Sequence, residues 1–192
     1  MTSATSGQQV GKFLAALASK QSTPGGGAAA AVGAGLGSAA ASMAAAYTQR
    51  KKDQESGAAV KAEALIQKLN FSKALQFADD DAKAYADLQR SWKDADMSAD
   101  EKRAIETQAL AVPVELVELC HDYIVSIQSF LPDCNPNITS DAKVGIHTLA
   151  GAARAAYQTV LVNSPPLAEK ERLKALLIEI RTIEEDLLEM ER

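Results

Sequence analysis

The stretch FADDDAKAYADL, residues 77–88, sets three carboxylates side by side in a segment with helical periodicity. Neighbours on a helix are about 100° apart, so Asp79, Asp80 and Asp81 cannot share one face. Phe77, Ala78, Ala82 and Tyr85 draw the apolar stripe toward Asp81, with Tyr85 one turn further on, and leave Asp80 solvated. Desolvation raises the pKa of a part-buried carboxyl, which suits a group that gives up and takes back a proton. Asp81 is the candidate general acid–base.

Three other stretches carry chemistry-bearing residues. Thr23-Pro24-Gly25-Gly26-Gly27 opens an Ala- and Gly-rich run. It is not a dinucleotide fingerprint, because Ser38 stands where a third glycine belongs after Gly33 and Gly35, and no strand precedes it. Nor is it a P-loop, lacking Gly-Lys-Ser/Thr. The triplet leaves backbone N–H groups open at a helix start, while Gly33 to Ala46 reads as a close-packing face. Arg50-Lys51-Lys52 ends a segment with no charge after Lys20. At a helix C-terminus these cations would complement the dipole, and they also make an anchor for carboxylates. In NPNITSDAKVG, residues 135–145, Asn135, Asn137, Thr139, Ser140 and Asp141 exceed what helix capping requires. His121 and His147 lack metal partners at ligand spacing and there is no Cys-x-x-Cys, so no metal site is expected.

The elements that must position these groups are helices. The chain has 192 residues, enough for one domain, residues 1-192, with 37 alanines and 5% aromatic residues. Alanine favours helices and is depleted in strands. The periodicity predicts helices over 8–19, 27–52, 55–95 (one, or two joined near Asn70), 99–130, 139–163 and 167–191. Ser98 and Glu101 form a capping box, and Pro113 predicts a kink where Ala109 loses its hydrogen bond. The expected fold is all-α, an elongated up-and-down helical bundle, dimeric through a bland helical face. Gln21–Gln49 is long enough to span a bilayer but consists mostly of Ala, Gly and Ser, so no membrane is expected. A net charge of −5, from 25 acidic and 20 basic residues, argues against a general nucleic-acid binder. Two cysteines and no secretory leader pattern indicate a cytoplasmic setting with reduced thiols.

Taken in order, these pieces resemble the cyclodeaminase/cyclohydrolase family of folate enzymes, which includes the C-terminal domain of formiminotransferase-cyclodeaminase and stand-alone methenyltetrahydrofolate cyclohydrolases. The carrying residues are Ser22 to Gly27, Arg50-Lys51-Lys52, Asp79-x-Asp81-Ala82-x-x-Tyr85, Asn135-x-Asn137 with Ser140-Asp141, and Pro113 after a glutamine-alanine segment. The resemblance implies an elongated homodimer holding a folate near its interface, with the tetrahydrofolate derivative as substrate and no further cofactor. It implies conversion of 5-formiminotetrahydrofolate to 5,10-methenyltetrahydrofolate and ammonia, an ammonia-lyase step of histidine degradation and one-carbon metabolism. Asp81 would move the proton and Asp141 would orient the pterin or assist. Thr23, Pro24, Gly25, Gly26 and Gly27 would wall the site, with Tyr85, Asn137, Ser140 and Asn163 contacting substrate. Arg50, Lys51 and Lys52 would hold the glutamate or polyglutamate tail. The alternatives are a methenyltetrahydrofolate cyclohydrolase, a hydrolase, and a non-catalytic folate-binding or scaffold helical dimer. Departures from the family pattern are Ala28 for serine, Asp53-Gln54 after the basic cluster, and Thr159 for asparagine.

Overall fold

The computed structural model describes residues 4–188, which form helices and turns and no strand. The α-helices are α1 (Val10–Leu17), α2 (Gly26–Ala46), α3 (Lys51–Ser56), α4 (Ala58–Lys68), α5 (Phe71–Lys93), α6 (Ala99–Phe130), α7 (Thr139–Val162) and α8 (Leu167–Leu187). Short 3-10 turns lie at Thr5–Gly7 and Leu131–Asp133. The expected end of the last helix at Glu191 falls outside the described residues.

Helices α2, α5, α6 and α7 form a closed ring in which α2 touches α5 and α7, and α6 touches the same two. Neighbours run antiparallel. Along α2, positions 27 and 35 face 81 and 75 of α5, while 33, 37 and 41 face 152, 149 and 145 of α7. This is the up-and-down bundle expected from the periodicity, with α4 on α2 and α6, and α8 on α6 and α7.

The small residues of α2 pack against α7 as the sequence predicts. A methyl on Gly37 would stand 2.8 Å from Leu149 Cγ and 2.9 Å from the Gly145 carbonyl oxygen, and one on Gly145 would stand 2.8 Å from Ala41 Cβ. The two backbones approach closely at Gly37 and Gly145. By length and composition α2 passes for a membrane span, but 56% of its most apolar window is buried in the bundle. Its hydrophobicity belongs to a core helix.

Two helix boundaries depart from expectation. The helix expected over 27–52 begins at Gly26 and ends at Ala46. Buried Thr48 stops it: its hydroxyl donates to the Ala44 carbonyl at 3.0 Å and accepts from the Asn135 N–H at 3.0 Å. The 55–95 segment divides at Asn70, as its two-helix alternative expects, with Asn70 capping α5 through the Lys73 N–H, and breaks once more at Gly57, whose φ of 82° is left-handed. In α1 only Phe13 is buried, while Val10 and Leu14 are exposed. Helix α6 has its Ser98–Glu101 capping box and remains helical through Pro113.

Candidate active site

Asp81 lies where α5 passes the N-terminus of α2. Its carboxyl fits against the bare Cα of Gly27: a Cβ there would stand 2.0 Å from Oδ1 and 2.4 Å from the carboxyl carbon. Burial pushes its pKa above the ordinary carboxylate value, and the Ala28 backbone N–H, which donates to it, pulls in the opposite direction without cancelling the shift. Only Gly27 is required to be bare, since Cβ atoms on Gly25 or Gly26 would meet nothing within 4 Å. Ala28 is itself a core residue, 1% exposed, so the site uses its N–H and no side chain.

The neighbouring carboxylates have separate tasks. Asp79 accepts from the Thr5 backbone N–H at 3.0 Å and from the Thr5 hydroxyl at 2.7 Å, fastening the N-terminal segment to α5. Asp80 accepts from the Gln76 amide at 3.1 Å on the outer side. Tyr85 is exposed and meets Trp92 edge-on, ring centres 6.4 Å apart.

Clefts flank this row of α5. One of about 550 Å³ is bounded by Thr5, Phe13, Thr23, Pro24, Asp79 and Lys83. The other, about 540 Å³, takes in Leu88, Trp92, Glu106 and Asn163. Asn163 closes α7 with its amide donating to the Thr159 carbonyl at 3.0 Å. Thr23, Pro24, Gly25, Gly26, Gly27, Asp81, Tyr85 and Asn163 thus gather at one end of the bundle.

The remaining predicted residues gather at the other end, a helix length of about 30 Å away along α2. Arg50 is not at the C-terminus of a long helix but is the N-cap of α3, and Lys51 and Lys52 occupy its first turn. Cations there oppose the helix dipole, so the dipole reading of the cluster fails. Arg50 is held by buried Asp53, Nε to Oδ2 at 2.7 Å and Nη2 to Oδ1 at 2.8 Å. That hydrogen bonding holds the Asp53 carboxyl below its ordinary range. Lys51 makes only a 3.9 Å approach to Glu55, and Lys52 is exposed.

Beside them the 134–141 loop is pinned by Asn135, which is buried. Its amide donates to the Tyr47 carbonyl at 3.0 Å and its side-chain oxygen accepts from the Asn137 N–H at 3.1 Å. Asn135 is therefore structural, while Asn137 and Ser140 face outward and Asp141 is half-buried, accepting from the Ser140 hydroxyl at 3.3 Å. Within one chain, Asp141 and Asp81 do not share a site. Sequence reasoning missed Thr5 and Asp53, whose partners are set by loop paths that periodicity does not describe. It also missed Trp92 and Glu106, although Trp92 falls on the helical row 81, 85, 88, 92.

No curated protein matches the chain. Among solved structures it is similar to formiminotetrahydrofolate cyclodeaminase from Thermotoga maritima, with a TM-score of 0.84 at 21% identity, covering 96% of this chain and 97% of that one. The likeness establishes the fold. The family described as formiminotransferase-cyclodeaminase matches residues 9–182, nearly the whole described bundle. By that match the chain belongs to the formiminotransferase-cyclodeaminase family.

Proposed function

We propose that the protein is a formiminotetrahydrofolate cyclodeaminase acting in the cytoplasm. The observation that carries this reading is the half-buried Asp81 carboxyl, pKa raised, held against Gly27 at a helix N-terminus in a member of this family. N10 of 5-formiminotetrahydrofolate attacks the formimino carbon, whose nitrogen enters as the protonated =NH2+ of an amidinium, and Asp81 accepts the N10 proton to leave an –NH2 adduct. The tetrahedral adduct then breaks its bond to the former imino nitrogen, Asp81 returns the proton to that nitrogen, and ammonia leaves the 5,10-methenyl product. One carboxyl serves both transfers, which requires a pKa closer to neutrality than that of a solvated aspartate.

Two features support a homodimer with shared sites. Leu36 (61% exposed), Met43 (41%) and Tyr47 (60%) on α2 form, with Val144 (54%) and Val162 (79%) on α7, an apolar face. An antiparallel pairing of two copies through this face sets the Asp81 end of one protomer beside the partner's Lys51 and the partner's Lys52. Exposed lysines that oppose their own helix dipole are thereby matched to the substrate's glutamate tail, with Asn137, Ser140 and Asp141 next to them. The buried thiols Cys120, pushed up to about 12 by burial, and Cys134 are free, as in a reducing compartment.

The departures at Ala28 and Thr159 do not weaken the catalytic reading. The site takes a backbone N–H from Ala28 and a backbone carbonyl from Thr159, which any residue supplies. The test is the absorbance of the methenyl chromophore with purified protein. A rise from 5-formiminotetrahydrofolate is expected. A fall from 5,10-methenyltetrahydrofolate faster than buffer, without that rise, assigns a cyclohydrolase, and no change in either assigns a non-catalytic dimer.

A further inference from the structure

The cleft of about 540 Å³ between the second half of α5, the start of α6 and the end of α7 has a chemistry of its own. Leu88 and Leu110 supply apolar wall, and Trp92, 66% exposed, supplies a ring face steadied edge-on by Tyr85. Tyr85 is one turn from Asp81 and Leu88 two turns, so the cleft begins about 10 Å along α5 from the carboxyl.

Several of its polar atoms are open acceptors. Glu106 has no ion pair or hydrogen bond among the described residues. Asn163 spends an amide N–H on the Thr159 carbonyl, leaving its oxygen open, and Thr107 donates its hydroxyl proton to the Arg103 carbonyl, leaving its lone pairs. The cleft's cation, Arg103, is paired with Asp100. A carboxylate ligand would meet Glu106, and the Arg103 charge is already shared with Asp100. A flat heterocycle whose edge carries amino and ring N–H groups would find a stacking face and several acceptors.

We infer that this cleft binds the aminopyrimidinone end of the pterin, with the ring against Trp92 and its amino and N–H donors on Glu106. The inference rests on the folate reading above and gives the substrate a direction. The pterin enters between α5, α6 and α7, the reacting nitrogens lie at Asp81, and the aryl-glutamate portion leaves toward the lysines.

Trp92 is the sole tryptophan, so its emission reports on this cleft in the full-length protein. Titration with 6-methyltetrahydropterin should quench it saturably, and 4-aminobenzoylglutamate should not. Glu106→Gln, at an exposed position and checked for unchanged helical circular dichroism, should weaken pterin binding roughly tenfold or more. In turnover it should raise KM by a similar factor while kcat stays within about threefold. Equilibrium dialysis with 5-formyltetrahydrofolate separates the two readings. If intact folate binds but Trp92 is silent and Glu106→Gln is unaltered, the pterin assignment is wrong and the folate reading stands. Quenching by 4-aminobenzoylglutamate alone also overturns the assignment, reversing the substrate. If wild-type protein binds no folate, the folate reading falls and the pterin assignment with it.

Discussion

The carboxyl of Asp81 occupies the space that a side chain on residue 27 would fill, with Oδ1 only 2.0 Å from where a Cβ would stand. Two helices bring them together, α2 by starting at Gly26 and α5 by running antiparallel past it. Gly27→Ala must displace either the carboxyl or the start of α2. It should cost about 1–3 kcal/mol of stability, as overpacking does, and abolish most turnover. Gly26→Ala, which meets open space, should do neither. Thermal melts and methenyl-forming activity of the two variants, taken together, check the contrast.

Asp81→Asn separates catalysis from stability. Because the folded-state pKa is raised above the ordinary 3.8, the native state binds more protons than the unfolded chain between these two values. Stability therefore falls as pH rises from about 3.8 to the folded pKa, and the cost persists above it. The asparagine variant escapes that cost. It should melt at or above the wild-type temperature at pH 7, with the advantage disappearing below about pH 3.8. A variant less stable than wild type at neutral pH contradicts the desolvated carboxyl.

Asp53 has the opposite sign. Hydrogen bonds from Arg50 hold its pKa below the ordinary 3.8, so its contribution is present above that value and is lost as pH falls through the folded one. Asp53→Asn should lower the melting temperature at pH 7, and the gap to wild type should close in acid. Melting curves from pH 7 down to pH 2 measure it. A gap that stays constant across that range contradicts the pairing.

The shared-site dimer is tested by complementation. Leu36→Glu and Met43→Glu together should yield monomers by sedimentation and lose activity. The Lys51→Ala, Lys52→Ala variant should stay dimeric and within about 0.5 kcal/mol of wild-type stability, because both side chains are exposed. Assayed well below KM it should lose roughly tenfold in rate. Mixed with Asp81→Asn and allowed to exchange, it should regain roughly a quarter of wild-type activity, from heterodimers with one intact site. No recovery after verified exchange contradicts the shared site.

The sequence made the bundle legible because helical periodicity and alanine content both point to it. It also marked Asp81, whose apolar neighbours fix the face it shares. The small-residue packing of α2 on α7 followed from Gly37 and the alanines. What could not be read was set by contacts distant in sequence. Thr48 ends α2 only because Asn135 lies beside it, and that moved Arg50, Lys51 and Lys52 from a helix end to a helix start. Of the three glycines, only Gly27 faces a neighbour, which depends on the register between α2 and α5. The division of the predicted site between two ends of the bundle depends on helix lengths that were each overestimated or merged at α2.

The central claim is that one carboxyl moves the proton between N10 and the departing nitrogen. Single-turnover formation of the methenyl chromophore from 5-formiminotetrahydrofolate, by wild type and Asp81→Asn, tests it most directly when 5-formyltetrahydrofolate binding is measured on the same samples. The account predicts binding within about threefold of wild type and a rate reduced by roughly 10²–10⁴. An Asp81→Asn protein that forms methenyltetrahydrofolate at the wild-type rate would contradict it.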